Sequence, residues 1–236
     1  MDVDKTNLEN ECMRIEKLIE ESYVDEIGKT TPIVDGIVDI KSYLKSKYKI
    51  LWILKEPYDS DGGGWHYCKD FLLLDNFYER IGGSFNTWHP IIYACYGILN
   101  DFMQYETMDW LRDEPWMADI VKQIAVINVN KLPGLSRTYD YGLISEAYNK
   151  NKNILLEQIR VYNPDIIIGG YTLNLFFDDL GIKRDNMPKH GSVDFAIKDG
   201  KLFIDAWHPA QTAKVGRKEY VNDIINTAKD WIYKRL

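Results

Sequence analysis

Three short apolar runs in this sequence are each closed or followed by a side chain that can bind a polar ligand. Glu56 comes two residues after the run ILWIL, Asn128 closes the run IAVIN, and His208 comes two residues after LFIDA. A carboxylate accepts hydrogen bonds, an amide donates and accepts them, and an imidazole changes charge near neutral pH. These residue types predict a ligand site, provided that the fold brings them together.

The elements that must position these side chains read as buried parallel strands. The strand candidates are ILWIL (50–54), IAVIN (124–128), DIIIG (165–169) and LFIDA (202–206). All are short, rich in Ile, Val and Leu, and mostly lack polar alternation, which is typical of strands covered on both faces. Helical patterns separate them at residues 88–105, 107–122, 143–161 and 172–180. We therefore predict an α/β fold with a parallel sheet flanked by helices.

In an open parallel sheet, ligands bind beyond the carboxyl ends of the strands, where successive loops converge. We therefore expect the residues after the four runs to meet at one edge of the sheet. Each also has an ordinary structural alternative. Glu56 would cap its loop or pair with Lys55 or Lys131. Asn128 would satisfy backbone groups in a turn, and His208 would donate to a carbonyl.

Length and composition predict one domain over residues 1–236. The chain has 45% hydrophobic residues and contains neither an internal repeat nor a low-complexity linker, so we place no domain boundary. Apolar residues at helical spacing among charged ones predict an amphipathic helix over residues 7–27, packed on the outside of the core. A second amphipathic helix is expected to close the chain.

The sequence favours a cytoplasmic protein that does not contact a membrane. No apolar run reaches the roughly 18 residues that a membrane span needs, and the first residues are acidic, unlike a signal peptide. Cys12, Cys68 and Cys95 are far apart and show no CxxC spacing, so we interpret them as structural thiols. We expect no cofactor and no metal site.

The charge of the chain argues against a protein that coats nucleic acid nonspecifically. The formal net charge is -7, whereas such binding depends on Lys and Arg that neutralise phosphates. The charge is uneven, since residues 1–30 carry nine acidic and four basic residues and residues 201–236 carry seven basic and four acidic. A local basic face near the end of the chain is therefore predicted, with a solvated helix surface as the alternative.

The strand-end motifs resemble those of the uracil-DNA glycosylase superfamily. LKEPYD resembles its first motif, INVNKLPGLSR resembles the Asn-Val-x-Lys-x-x-Pro segment of its bacterial and archaeal iron-sulfur branch, and AWHPAQ resembles its last motif. NPDIIIGGYTL also resembles a strand of that branch. The likeness covers roughly residues 48–215 in order, and this collinearity is more specific than any one motif.

The resemblance implies a three-layer α/β/α fold around a four-stranded, mostly parallel sheet, and it implies roles for the motif residues. Glu56 would orient the attacking water and stabilise an oxocarbenium-like sugar, while Asn128 would bind the amide edge of a flipped base. His208 would stabilise the charge that develops on the leaving base. Breaking an N-glycosidic bond needs stabilisation of positive charge on the sugar and of negative charge on the base.

The resemblance also implies a pocket for the flipped base and contacts to DNA phosphates. The residues that we assign to substrate binding are Asn128, Tyr58, Asn130, Pro57, Trp65 and Phe71. Tyr58 would form a wall near the pyrimidine 5-position, and Trp65 or Phe71 would supply the stacking aromatic, with a core position as the alternative for both. The residues that we assign to the nucleic-acid backbone are Lys131, Lys214, Arg217 and Lys218.

The chain departs from the family pattern at the iron-sulfur site, because it has three cysteines where that branch has four ligands. We therefore predict a glycosylase for uracil or another deaminated base in DNA, without a cluster. The alternative is a superfamily member that binds a nucleobase, nucleotide or nucleic acid without cleaving it. A third hypothesis takes EPYDSDGGGWH as a metal loop, with Glu56, Asp59, Asp61 and His66 as ligands.

Overall fold

A computed structural model of the protein describes residues 2–22, 30–81, 85–135 and 140–234. Within these ranges the chain is α/β, and its strands form one seven-stranded mixed sheet. The strands are β1 (Gly36–Ile37), β2 (Ile50–Leu54), β3 (Ile124–Asn128), β4 (Ile166–Gly170), β5 (Lys189–His190), β6 (Val193–Lys198) and β7 (Lys201–Ala206). Their order across the sheet is β1-β3-β2-β4-β7-β6-β5.

The four strands predicted from the apolar runs form the centre of this sheet, and all four are parallel. β2 pairs with β3 on one side and with β4 on the other, and β4 pairs with β7. The predicted bounds of β2 and β3 are right, while β4 begins and ends one residue later and β7 begins one residue earlier. Every residue of β2, β3 and β4 is buried, which accounts for their continuous apolar runs.

The prediction of a four-stranded sheet is wrong in its count, because three antiparallel strands extend the sheet. β1 pairs with β3, β6 with β7, and β5 with β6. β1 and β5 have two residues each, too few for a recognisable period. β6 and β7 form a hairpin whose turn residues Asp199 and Gly200 both have positive φ angles, as a type I′ turn requires.

Helices cover both faces of the sheet. One face packs against α4 (Phe85–Leu99) and α7 (Arg217–Lys234), and the other packs against α1 (Asp2–Ser22) and α5 (Tyr141–Tyr162). The shorter helices are α2 (Ile40–Lys45), α3 (Phe77–Arg80) and α6 (Phe177–Leu180). Adjacent residues of β2 alternate between the two cores, with Trp52 in the first and Leu51 and Ile53 in the second.

Tight helical turns complete the connections. The 3₁₀ turns are Tyr105–Thr107, Pro115–Gln123, Leu173–Leu175, Arg184–Asn186 and Pro209–Lys214, and a π turn spans Tyr67–Leu72. The helix predicted over 107–122 is therefore wrong in type and extent. Its main segment is the 3₁₀ helix that begins at Pro115, where proline suits the first helical position because its missing N–H has no helical partner.

The N-terminal helix begins at Asp2, five residues before the predicted 7–27, and the structure describes it as far as Ser22. Residues 23–27 of the predicted helix lie outside the described ranges. Its buried Ile15 and Ile19 belong to the core that includes α5. α5 ends at Tyr162, where Asn163 adopts a left-handed conformation just before Pro164 and β4. No helix in the described ranges is both long and apolar enough to cross a membrane.

Candidate functional site

The four parallel strands end level with one another. The register aligns Asn128 with Leu54 on β2, and Gly170 with Ala206 on β7. We call the row formed by Asn128, Leu54, Gly170 and Ala206 the carboxyl edge. Neighbouring strands lie about 4.8 Å apart, so Leu54 and Ala206 are separated by two spacings, or about 10 Å. The exits that carry Glu56 and His208 therefore leave the sheet on either side of β4.

The first two motifs are joined to each other by backbone hydrogen bonds. The Gly134 N–H donates to the Pro57 carbonyl at 2.8 Å, and the Asp59 N–H donates to the Gly134 carbonyl at 3.3 Å. Pro57 is buried between these bonds, whereas the adjacent Tyr58 ring is 61% exposed. The Glu56–Asp59 exit of β2 is therefore fixed against the loop that follows β3.

Gly134 determines where the Glu56 side chain lies. A Cβ atom added at Gly134 would lie 2.5 Å from Cγ and 2.6 Å from Cδ of Glu56, closer than real Cβ contacts allow. The carboxylate thus occupies the space that any other residue at position 134 would fill. The last two residues of the motif INVNKLPGLSR, Ser136 and Arg137, lie outside the described residues.

Asn128 is buried at the carboxyl edge and is held by Asp35. The Asn128 backbone N–H donates to Asp35 Oδ2 at 2.7 Å, and its side-chain Nδ2 donates to the same oxygen at 3.3 Å. The Asn128 Oδ1 atom is buried and accepts no hydrogen bond from the described residues. Since an unpaired buried acceptor costs about 1–3 kcal/mol, this oxygen is suited to a donor that a ligand would bring.

Lys131, which we predicted to contact a nucleic-acid backbone, makes internal contacts in this structure. Its side chain is fully buried, and its ammonium binds Asp35 Oδ1 at 2.7 Å, the Asn128 carbonyl at 2.7 Å and Gln158 Oε1 at 2.9 Å. Burial lowers the pKa of Lys131, and the Asp35 carboxylate opposes that shift. Lys131 therefore holds Asp35 and, through it, Asn128.

His208 presents a neutral imidazole at the exit of β7. Its Nδ1 accepts a hydrogen bond from the Ala210 N–H at 3.2 Å, which leaves the proton of the neutral ring on Nε2. Burial, and to a smaller extent the positive charge of Lys55, lower the pKa of His208 from 6.5 to about 4. At neutral pH the ring is therefore a donor without a charge. The alternative of His208 donating to a carbonyl finds no support among its described hydrogen bonds.

A stacked aromatic pair lies between these exits. The rings of Tyr171 and Trp207 are 5.7 Å apart with an interplanar angle of 9°. Tyr171 has a φ of 64°, a left-handed conformation that is uncommon for a bulky residue, and it is held by a bond from its N–H to the Ala206 carbonyl. The Trp207 carbonyl accepts from the Tyr220 hydroxyl at 2.7 Å. Both strand exits are thus fixed.

Two lysines flank this pair. The ammonium of Lys55 lies 5.0 Å from the centre of the Tyr171 ring and 5.8 Å from that of Tyr141, and the ammonium of Lys214 lies 4.3 Å from that of Trp207. Burial lowers the pKa of Lys55, and Lys214 lowers it further, while Glu56 opposes the shift.

The remaining basic residues continue along the turn after His208 into α7. Lys214 is exposed and Arg217 is partly buried at the first position of α7. Lys218 forms a surface ion pair with Glu106 at 3.3 Å. Lys214, Arg217 and Lys218 therefore lie on one segment adjacent to His208.

Neither family models nor curated proteins match this chain. The likeness to uracil-DNA glycosylases therefore rests on the strand-end motifs and on their order along the chain.

Trp65 and Phe71, the two candidates for the stacking aromatic, both pack against the core on the α4 side of the sheet. Phe71 makes edge contacts with Phe77 and Trp88 at centroid distances of 5.4 and 6.1 Å. Trp65 stacks on Tyr67 at 5.6 Å. The core alternative that the sequence left open thus describes Phe71, and Trp65 is partly buried beside it.

Other predicted polar residues serve the loops. Asn130 Oδ1 accepts from the Leu132 N–H at 3.1 Å, as in a turn. Asp59 accepts from the N–H groups of Gly63 and Asp61, and His66 caps the π turn and contacts Glu16 at 3.1 Å. No group of three or more His, Cys, Asp or Glu residues in the described part of the chain is arranged to hold a metal ion. The metal loop hypothesis is therefore not supported by this geometry.

Two clefts, of about 270 and 490 Å³, lie elsewhere on the described surface. The first is lined by residues of α1 and of the segment around Asp35, and the second by residues 174–186. Neither is lined by Glu56, Asn128 or His208. Because the Asn128 Oδ1 atom is covered in the free protein, a ligand that binds it must displace the side chains above it.

Sequence reasoning did not select Asp35 or the Tyr171–Trp207 pair as site residues. A signal for Asp35 was present, since an aspartate within the apolar segment TPIVDGIV predicts a buried carboxylate that needs a partner. Tyr171 and Trp207 directly follow β4 and β7, so both are among the residues expected to meet at one edge, but their stacking on each other was not predicted.

Proposed function

We propose that this chain is a DNA glycosylase with a uracil-DNA glycosylase-like fold, and that it removes uracil or another deaminated base. The observation that carries the proposal is the common position of Glu56, Asn128 and His208 at the carboxyl edge, after three parallel strands. A carboxylate and a neutral donor on either side of a sugar–base bond stabilise opposite charges in the transition state.

Asn128 supplies the base recognition in this proposal. Uracil and hypoxanthine each present a ring N–H next to a carbonyl, which matches an amide that offers an acceptor and a donor. The unpaired Oδ1 of Asn128 accepts the ring N–H, and the second hydrogen of Nδ2 remains for the carbonyl because the first is donated to Asp35. The ion pair between Asp35 and Lys131 fixes this orientation.

His208 stabilises the departing base. Departure of the base places negative charge on its oxygen and ring nitrogen, and a neutral Nε2–H donor stabilises that charge without first losing a proton. The hydrogen bond from Ala210 to Nδ1 favours the tautomer with its proton on Nε2, and the low pKa of His208 keeps the ring neutral. Glu56, packed against Gly134, acts on the sugar side and orients the attacking water.

The test is base excision by the purified protein on oligonucleotides that contain uracil or hypoxanthine, single- and double-stranded. We expect abasic product from the wild type. Because preorganised hydrogen-bond donors contribute about 10²–10³ in rate, His208→Ala should lower excision by at least that range. Glu56→Gln and Asn128→Ala should lower it as well. Glu146→Gln, at an exposed carboxylate on α5, is the matched control and should leave the rate unchanged.

Gly134→Ala provides a second test that keeps every catalytic side chain. The added methyl group displaces the Glu56 carboxylate, so excision should fall as it does in Glu56→Gln. If the wild type yields no abasic product above the Glu56→Gln level on any of these substrates, the glycosylase proposal is wrong.

A second candidate function is binding of a free nucleobase or nucleoside without cleavage. The net charge of -7 favours this candidate, because a small ligand with few or no phosphates needs no broad basic surface. Calorimetric titration with uracil, hypoxanthine and their nucleosides distinguishes the two functions. Binding that depends on Asn128, together with no abasic product from the oligonucleotides, would support the second candidate and exclude the first.

A further inference from the structure

Lys55 occupies an unusual position for a lysine. It is the first residue after β2, it is partly buried, and its ammonium lies beside the Tyr141 and Tyr171 rings. Its backbone is fixed, because the Lys55 carbonyl accepts from the Asn130 N–H at 2.8 Å. Its side chain makes neither a hydrogen bond nor an ion pair to the described residues, although Glu56 is its neighbour in sequence.

The surroundings of Lys55 make its uncharged amine more accessible than that of a solvated lysine. Burial removes water from the ammonium and is the main reason that the pKa of Lys55 is lowered; the Glu56 carboxylate opposes this shift, and the nearby cation Lys214 adds to it. Desolvation and a second cation are the two conditions that make a lysine amine nucleophilic at neutral pH. Lys214, which is exposed and lies over Trp207, meets only one of these conditions.

Base excision would produce an electrophile at this position. Hydrolysis of the N-glycosidic bond leaves a deoxyribose hemiacetal, which opens to an aldehyde at C1′. In the proposed reaction this carbon lies between Glu56 and His208. Lys55 directly precedes Glu56 and is close enough to His208 to lower the pKa of its ring.

We propose that Lys55 is an amine nucleophile that forms an imine with the C1′ aldehyde of an abasic deoxyribose. The lone pair of Nζ attacks C1′ to form a carbinolamine. The aldehyde oxygen then leaves as water with the two amine hydrogens, so that a C=N bond replaces the C=O bond. No oxidant or reductant is consumed. The inference rests on the proposed function for the identity of its substrate.

The test is reductive trapping on an oligonucleotide whose abasic site is made beforehand, so that it does not depend on excision by this protein. Cyanoborohydride reduces an imine to a stable secondary amine that links protein to DNA. We expect a covalent adduct with the wild type, located at Lys55 by peptide mass spectrometry. Lys55→Arg should lose the adduct, and Lys150→Arg, at an exposed lysine on α5, should retain it.

Two outcomes would overturn the inference. One is the absence of an adduct from wild-type protein that binds the abasic oligonucleotide. The other is an adduct that maps to Lys214 or to another amine and persists in Lys55→Arg. If the protein is trapped at Lys55 but excises no base, the proposal of imine formation stands and the glycosylase proposal is wrong. The two proposals can therefore fail separately.

Discussion

Lys131 and Lys55 leave neighbouring parallel strands at the same carboxyl edge, yet their surroundings are opposite. Lys131 is fully buried and its ammonium has three oxygen partners, including the Asp35 carboxylate at 2.7 Å. Lys55 is only partly buried, and its ammonium contacts the faces of two tyrosine rings. The more buried lysine is thus the one with the complete set of partners.

This difference separates a structural lysine from one that is available for chemistry. A buried charge is tolerated when its partners compensate for its desolvation. Removing one member of a buried ion pair therefore leaves the other charge buried without compensation, which destabilises the fold. Among the described residues, the Lys55 side chain has no hydrogen-bonded or ion-paired partner; it contacts the Tyr141 and Tyr171 rings, and the Glu56 carboxylate also acts on its charge. Its removal should change reactivity at the carboxyl edge more than it changes folding.

The largest expected effect is on stability. Lys131→Met leaves Asp35 buried without a cation and leaves Gln158 Oε1 without its donor, so we expect a loss of about 3–5 kcal/mol in the free energy of unfolding. Urea unfolding at pH 7 measures it. Lys55→Met is the matched control and should change the value by less than about 1 kcal/mol. Equal losses in the two variants would remove the distinction between these lysines.

The same comparison extends to two carboxylates. Asp35 faces a cation, whereas Asp205 faces Asp194 directly across the β6–β7 pair. Burial, and to a smaller extent the charge of Asp194, raise the pKa of Asp205 from 3.8 to about 6. The folded state therefore favours the protonated form, which contributes stability below pH 3.8 that is lost as the pH rises through 6.

Asp205→Asn should consequently stabilise the protein at pH 8 by about 1–3 kcal/mol, since one pKa unit corresponds to about 1.4 kcal/mol. The gain should disappear below pH 4, where the wild-type carboxyl is already neutral. Thermal unfolding at the two pH values measures the difference. A gain of the same size at both pH values would show that charge is not its cause.

The smallest expected effect is a pKa change at His208. Burial is the main reason that this pKa lies near 4, and Lys55 is the second. Lys55→Met should therefore raise the pKa of His208 while leaving it below 6.5, and Lys131→Met should not move it. Titration of the imidazole signals by NMR provides the values. A pKa unchanged by Lys55→Met would place the two side chains too far apart for the proposed reaction.

The centre of the sheet could be predicted because each parallel strand is covered on both faces, and burial on both faces produces an unbroken apolar run. The antiparallel strands were not predicted as sheet members. β1 and β5 have two residues each, and β6 is partly exposed, so burial leaves no continuous pattern there. The 3₁₀ helix Pro115–Gln123 has helix-like apolar spacing, which does not distinguish it from an α-helix.

The candidate site also has residues that could be predicted from the sequence and one whose environment could not. Glu56, Asn128 and His208 could be selected because each follows or closes a strand, and parallel strands bring such residues to one edge. Lys131 was assigned to DNA phosphates because of the resemblance to the glycosylase motifs. Its burial depends on Asp35 and Gln158, which are 96 and 27 residues away in the chain. The sequence around Lys131 does not indicate such distant partners.

The sequence by itself determined the four parallel strands, the α/β order and the polar residues at the strand ends, because hydrophobic period and residue type are local properties. Only the tertiary structure decided which of these residues are satisfied by the protein and which are free to act. Lys131, Asn130 and Phe71 are committed to internal contacts, whereas the Asn128 oxygen and the Lys55 amine have no described hydrogen-bond partner. Hydrogen bonding and desolvation depend on distant segments, and those segments meet only when the chain folds.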